Sequence, residues 1–466
     1  MGNEDQELRT ETDALGDVQV PAAALYGAAT TRAVHNFPVS GQRLPRRMIQ
    51  AFGLIKHAAA EVNRDAGRLD PRIAEAIMTA AHEVAAGRHD AEFPVDIFQT
   101  GSGTSSNMNA NEVIANRAIQ LLGGAVGTKT PVHPNDHVNL GQSSNDVFPT
   151  AVHIAAAEGV ERDLLPALRA LDAALAAKAR SFDHVVKVGR THLMDAVPIR
   201  LSQELGGYAQ MTTSAIARIA AARAAVTAVA LGGTAVGTGI GADPEFAPAV
   251  LALLSRHLNL PLRQAPNLCE ALAARDGLVE LSAALRGAAV SLTKIANDIR
   301  WLGSGPRCGL GELLLPELQP GSSIMPGKVN PVMAEMLLMV CAQVIGNDAT
   351  VVWGGAAGNF ELNAMTPVIA AAVLQSIEIL ANGCRLFASR CVEGLEADAD
   401  RCAALVEQSL ALATALVPRL GYDRSAEIAR ESVRTGRTVR QICRERRIVP
   451  EEELERLLDP RAMTGL

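Results

Sequence analysis

An all-α fold, organised as three domains around a central bundle of long helices, is predicted by three features of the 466-residue sequence. Apolar residues make up 48% and charged residues only 20%. That is enough apolar surface to offset chain entropy, so disorder is excluded as the dominant state. Aromatics are only 3%, which leaves Ala, Leu, Val and Ile to build the core, and these pack well between closely spaced helices. Leu278, Leu281, Leu285, Ala288, Leu292, Ile295, Ile299 and Leu302 follow one another at alternating spacings of three and four, the signature of a helix seam. At about 150 residues per domain the length allows three domains.

The N-terminal stretch MGNEDQELRTETDALGD is acidic and lacks an apolar h-region. No signal peptide is expected, and a cytoplasmic location is the default. Glycine, proline and asparagine clusters mark loops at 100–107 and 133–146. After Asp163, a plausible N-cap, Leu164, Leu168, Leu171 and Leu175 predict a helix. Another loop falls at 189–198. The uncharged stretch from Ala224 to Ala242 carries five glycines, too many for a membrane span, and reads as a loop. The seam at 278–302 is interleaved with Ala283, Ala284, Gly287 and Ala289, which permit close helix approach and favour a bundle. Loops recur at 303–331 and 353–363, and from Arg424 the chain turns rich in Arg and Glu with short helical patterns. The expected domains are 1–142, mainly α; 143–395, the central bundle; and 396–466, a small α domain. Loops held by rigid helices are where chemistry usually sits.

With 43 basic and 50 acidic residues the formal charge is 43 − 50 = −7. A general nucleic-acid binder would need clustered Lys and Arg, so none is expected. Any anionic substrate must be held by local groups. Seven cysteines are scattered without a CxxC pair, and reduced, mostly buried thiols are expected. His133 and His137 are four apart, but Pro134 interrupts the helix that would align them, and no cysteine or acidic cluster completes a metal site. Neither metal nor cofactor is expected.

The most informative segment is Gly321-Ser-Ser-Ile-Met-Pro-Gly-Lys-Val-Asn-Pro. A glycine-flanked serine pair, Lys328, and Asn330 before Pro331 at a helix start would gather hydroxyls, an ammonium and free backbone N–H groups around an anion. This segment resembles the signature of the fumarase/aspartase superfamily. Thr100-Gly-Ser-Gly-Thr-Ser-Ser-Asn-Met-Asn, His133-Pro-Asn-Asp, Gln142-Ser-Ser-Asn-Asp, Gly189-Arg-Thr-His, Leu231-Gly-Gly-Thr-Ala-Val-Gly-Thr-Gly and Lys294-Ile-Ala-Asn-Asp-Ile-Arg resemble its other blocks, in matching order. The resemblance covers nearly the whole chain. It implies a five-helix central bundle, a homotetramer with a twenty-helix core, and active sites shared between subunits.

The resemblance also implies a β-elimination on a small dicarboxylate. A proton leaves the carbon beside one carboxylate, and hydroxide or ammonia leaves the next carbon. By resemblance Ser322 is the base, and Lys328 and Asn330 stabilise the doubly charged intermediate. His192 serves the acid side, oriented by Glu335. Ser102, Gly103, Thr104, Ser143, Ser144, Asn145, Thr191, Ser323 and Val329 complete the expected substrate contacts, mostly uncharged donors that hold an anion without adding net charge. His133, Pro134, Asn135 and Asp136 resemble a secondary anion site, although Thr130 stands where an arginine is common. Met194 stands where relatives often carry Gln, and Gly241 where Asn is common.

Ser102, Ser144, His133 and the run Ala265-Pro-Asn-Leu-Cys-Glu-Ala-Leu-Ala-Ala resemble class II fumarases. Lys328-Val-Asn-Pro-Val-Met-Ala-Glu, Val344-Ile-Gly-Asn-Asp and Thr435-Gly-Arg-Thr-Val-Arg-Gln resemble bacterial aspartases. Residues expected to touch substrate favour the first group, so the resemblance implies reversible hydration of fumarate to L-malate, with L-aspartate ammonia-lyase activity as the alternative. Relatives that kept the scaffold as structural proteins without activity would be marked by loss of Ser322, Lys328 or His192, and all three are present.

Overall fold

A computed structural model describes residues 7–465. Helices dominate, and the only sheets among the described residues are five two-stranded ones. Two compact units emerge among the described residues, each assembled from separate stretches of chain: 7–166, 217–287 and 342–380 form one, and 167–216, 288–341 and 381–465 the other. Helices Leu201–Arg223, Asp276–Leu302, Val332–Gly355 and Thr366–Arg390 each contribute residues to both. The seam of Asp276–Leu302 behaves as its spacing predicts, with Leu278, Leu281, Leu285, Ala288, Leu292, Ile295, Ile299 and Leu302 all buried.

In the first unit, helix Arg46–Asp65 packs along Pro71–Ala85 and Ser144–Gly159. Asp70 caps the second of these by accepting from the N–H groups of Arg72 (2.9 Å) and Ile73 (3.2 Å), with Pro71 opening the first turn. Phe52 meets Phe148 edge-on at 5.9 Å between ring centroids. Gly53 permits the close approach, since a Cβ there would lie 2.6 Å from the backbone nitrogen of Ala85.

Asp163 is not a helix cap. Ser144–Gly159 passes through a π-helical stretch, Val160–Leu164, directly into Leu165–Ser181. The wider turn precedes Pro166, which has no N–H to donate backwards and whose ring crowds the preceding turn. Asp163 pairs instead with Arg47, which also reaches Glu158 at 3.2 Å.

The second unit carries an antiparallel hairpin, Val186–Thr191 with Met194–Arg200. It also holds the C-terminal helices Tyr422–Thr435, Val439–Glu445 and Glu451–Leu457, whose Ile428, Val439, Ile442 and Leu454 form a core with Val188 and Leu412. Five of the seven cysteines are buried and all seven are unpaired. Helices Val332–Gly355 and Thr366–Gly394 are long and apolar enough to cross a membrane. On the first of them Met339 and Trp353 stay 68% and 75% exposed.

Candidate active site

Two helix starts in the first unit present the expected carboxylate donors. Gly103 precedes Thr104–Leu121 at φ +76°, where a Cβ would fall 2.0 Å from the Phe148 ring, so only glycine fits. Ser102 Oγ and Thr104 Oγ1 share a 2.8 Å hydrogen bond. Ser143 starts Ser144–Gly159 with a capping box: its Oγ accepts from the Asn145 N–H (3.2 Å), and Asp146 Oδ1 accepts from the Ser143 N–H (2.9 Å). Asp146 Oδ2 takes the N–H groups of Gly232 and Thr234, both at 3.0 Å, which anchors the glycine-rich loop to this helix start. Burial raises the Asp146 carboxyl to about 6, against the pull of those N–H donors. Asn145 Nδ2 donates to the Ala235 carbonyl (2.9 Å), and Ser144 Oγ accepts from Asn107 Nδ2 (3.0 Å). Uncharged donors at the positive ends of two long helices suit a carboxylate.

In the second unit the 321–330 loop is held by its own backbone and amide bonds. The Gly321 N–H donates to the Lys328 carbonyl (2.8 Å), and Asn330 Nδ2 donates to the Gly321 carbonyl (2.7 Å). Ser322 Oγ accepts from the N–H groups of Ile324 (3.2 Å) and Met325 (3.0 Å). Two donors aimed at one hydroxyl oxygen favour negative charge on that oxygen over the neutral form. Ser323, Lys328 and Val329 are exposed, and the Lys328 ammonium contacts Asn330 Oδ1. Glu335 lies exposed on the first turn of Val332–Gly355, its N–H bonded to the Pro331 carbonyl at 3.1 Å.

Thr191 and His192 lie exposed at the tip of the hairpin. Thr191 faces Met194 in register, and both intervening residues are left-handed, His192 at φ 59° and Leu193 at φ 62°. Such two-residue turns normally take Asn-Gly. Non-glycine residues there cost about 1 kcal/mol each, a strain that persists only where the surroundings impose it. Arg190 supplies one restraint through a forked pair to the buried Glu312, at 2.8 and 3.0 Å. Lys187, also buried, joins Glu204 (3.2 Å) and Glu312 (3.5 Å). Among the described residues His192 makes no hydrogen bond to Glu335, Ser322 or Lys328.

His133 caps the π-helical turn Pro134–Val138, its Nδ1 accepting from the N–H groups of Asn135 (3.3 Å) and Asp136 (3.1 Å). In a neutral ring that leaves Nε2 as the N–H donor, which suits an anion and not a metal. His137 Nδ1 is likewise engaged, accepting the His133 N–H at 2.9 Å. No group of three or more metal-ligating side chains occurs among the described residues. Pro134 is buried, whereas Asn135 and Asp136 are exposed. Gly241 sits at φ +78° with open space around it. Asn is the other residue that tolerates that conformation, so the expected Asn would fit there as well. Met194 is exposed beside the hairpin tip.

Sequence reasoning passed over Lys56, Asn107, Asn139 and the Arg190–Glu312 pair. The signal for Lys56 was a lone lysine in the apolar run Ala51–Ala60 of a helix.

Comparison with known proteins agrees with this architecture. The family model described as Lyase matches residues 16–346, and that described as Fumarase C C-terminus matches 412–465. The chain therefore belongs to the lyases of the fumarase/aspartase superfamily. The class II fumarate hydratase of Methylorubrum extorquens is 54% identical over 461 residues, spanning 99% of this chain and 98% of its own. The mitochondrial fumarate hydratase of Danio rerio is 52% identical over 462 residues, 99% of this chain and 91% of its own. The crystal structure of a class II fumarase from Schistosoma mansoni superposes with a TM-score of 0.95 at 39% identity, covering 98% of this chain and 99% of that one. Within the superfamily, the chain is a member of the class II fumarate hydratases.

Proposed function

We propose that the reversible hydration of fumarate to L-malate is carried in this chain by Ser322 as base, with His192 on the acid side. In the dehydrating direction Ser322 takes the proton from the carbon beside one malate carboxylate. The electron pair left behind gives that carboxylate a second negative charge, which Lys328, Asn330 and the loop N–H groups stabilise. Collapse to the double bond expels hydroxide from the neighbouring carbon, and His192, which would meet its orienting carboxylate Glu335 only across a site shared between subunits, supplies the proton that lets it leave as water. Ser102, Gly103, Thr104, Ser143, Ser144, Asn145, Thr191, Ser323 and Val329 hold the two carboxylates and the hydroxyl. His133, Pro134, Asn135 and Asp136 form a secondary anion site, weaker for having Thr130 in place of an arginine. The observation that carries the reading is the pair of N–H donors on Ser322 Oγ.

On this reading the protein is a homotetramer that shares its sites between subunits, divided as 1–142, 143–395 and 396–466, and works in the cytoplasm without metal, cofactor, nucleic acid or membrane. Exposed Met339, Val352 and Trp353 on Val332–Gly355 then form an inter-subunit face, not a lipid face. Light scattering should give about four times the 48.9 kDa chain, and an active monomer would contradict shared sites. The decisive assay follows fumarate in the ultraviolet with L-malate and L-aspartate side by side. An ammonium beside a histidine that must at times carry a proton is repelled, so aspartate should turn over at least about a thousandfold less well. Faster release of ammonia from aspartate than water from malate would overturn the assignment.

A further inference from the structure

Beneath the Ser144 hydroxyl lies a charge that the reaction above does not use. Lys56, midway along Arg46–Asp65, is fully buried, and its Nζ donates to Asn139 Oδ1 (2.8 Å) and Gln142 Oε1 (3.0 Å). An ammonium offers three donors and no acceptor, so both amides must turn their oxygens to it. Their nitrogens go elsewhere: Asn139 Nδ2 to the Gln142 carbonyl (3.1 Å), and Gln142 Nε2 to the carbonyls of Val138 (3.1 Å) and Leu140 (3.3 Å). The next group to reach Asn139 Oδ1 must then also be a donor. It is Asn107 Nδ2, at 3.2 Å, whose second hydrogen goes to Ser144 Oγ at 3.0 Å. Asn107 Oδ1 is buried without a hydrogen-bond partner among the described residues, so the amide is oriented by its nitrogen. Ser144 Oγ accepts this bond, and its own proton finds no acceptor among the described residues.

We propose that Lys56 is a positioning residue whose ammonium sets the direction of the hydrogen bonds through Asn139 and Asn107, so that Ser144 turns its proton, and not a lone pair, toward the substrate carboxylate. The proposal rests on the reading of Ser144 as a carboxylate donor. The opposite polarity would set a hydroxyl lone pair against a carboxylate oxygen. Keeping a charge at this depth is costly: burial pulls Lys56 down to about 7, with Asp146 as the opposing charge. A methionine of similar length would avoid that cost but leave only the main-chain carbonyls on the amide nitrogens to hold both side chains in this orientation.

A double-mutant cycle on the KM of fumarate and L-malate tests this. Lys56→Met should raise KM about tenfold while kcat stays within about threefold, and Lys56→Gln, which keeps a donor, should recover part of the loss. In a Ser144→Ala background Lys56→Met should add no further increase, because no hydroxyl remains to be oriented. Effects that multiply would overturn the relay, as would an unchanged KM in Lys56→Met. If Lys56→Met does not fold, Asn107→Ala cuts the same chain one bond from Ser144, and its effect on KM must also vanish in Ser144→Ala. A Ser144→Ala variant with unchanged KM would remove the carboxylate-donor reading itself. A raised KM there with unaltered Lys56→Met would remove only the relay.

Discussion

The Ser322 loop and the Ser144 helix start both present serine hydroxyls, yet they are built in opposite ways. Ser322 sits in an exposed segment whose hydrogen bonds close on the segment itself: Gly321 with Lys328 and Asn330, Ser322 with Ile324 and Met325. Ser144 is backed by a buried lattice that runs through Asn107, Asn139 and Lys56, beside a capping box whose Asp146 ties down the glycine loop. The contrast separates two demands. On the proposed mechanism the base needs an oxygen held by donors, whereas the binding donor needs a fixed direction. Variants in the loop should therefore cost turnover with little loss of stability, and variants behind the helix starts should cost stability or affinity.

The largest effect expected is from Ser322→Ala. Turnover should fall at least about a hundredfold, about 2.7 kcal/mol of barrier, with circular dichroism, gel filtration and Tm unchanged. Activity within a few-fold of the parent would break the comparison on the loop side. Gly103→Ala tests the other side. Its Cβ would enter the Phe148 ring at a left-handed position, so stability to denaturant should drop by about 2 kcal/mol. A Tm equal to that of the parent would show that the helix start is less rigidly packed than described.

Lys328→Met should change KM and kcat together, by roughly tenfold each, because on the proposed mechanism one ammonium faces first the carboxylate and then the doubly charged intermediate. If neither moved, Lys328 would be a surface lysine. The smallest effect sharpens the buried side. His153, on the same helix as Ser144, turns Nδ1 to the Ala228 carbonyl (2.9 Å), and burial lowers its pKa to about 4. The folded ring stays neutral where the unfolded ring takes up a proton, below its ordinary 6.5. Its contribution is thus present above pH 6.5 and lost as pH falls toward 4, at up to about 1.4 kcal/mol per pH unit. His153 is only half-buried as a residue, which makes this a ceiling. Denaturant melts of His153→Gln across that window should be flatter than those of the parent.

The long-helix architecture was legible because its cause is local and periodic. The seam from Leu278 to Leu302 repeats the helix period, and each of its knobs is buried. Asp163 was misread for the same reason in reverse. An acidic residue ahead of a leucine repeat looks like a cap, and the π-helical passage before Pro166 leaves no periodic trace. Family membership was legible from the block around Ser322, whose residues make little sense separately. The support behind Ser144 was not, since Lys56 and Asn107 are 51 positions apart (107 − 56) and meet only through Asn139.

By itself, then, the sequence determined the helix periods, the residue types in each loop and the membership that follows from their order, because these depend on neighbours a few positions away. Tertiary structure alone decided the direction of each donor. Whether Ser144 offers a proton or a lone pair depends on which way Asn107 and Asn139 face. That direction is set by an ammonium three hydrogen bonds away on another helix together with the Gln142 carbonyl on the Asn139 nitrogen. Likewise the left-handed tip that carries His192 is closed by the register pair Thr191 and Met194, while Glu312, more than a hundred residues on, holds nearby Arg190. Hydrogen-bond polarity and strain belong to groups brought together by folding, and no local pattern of residues encodes them.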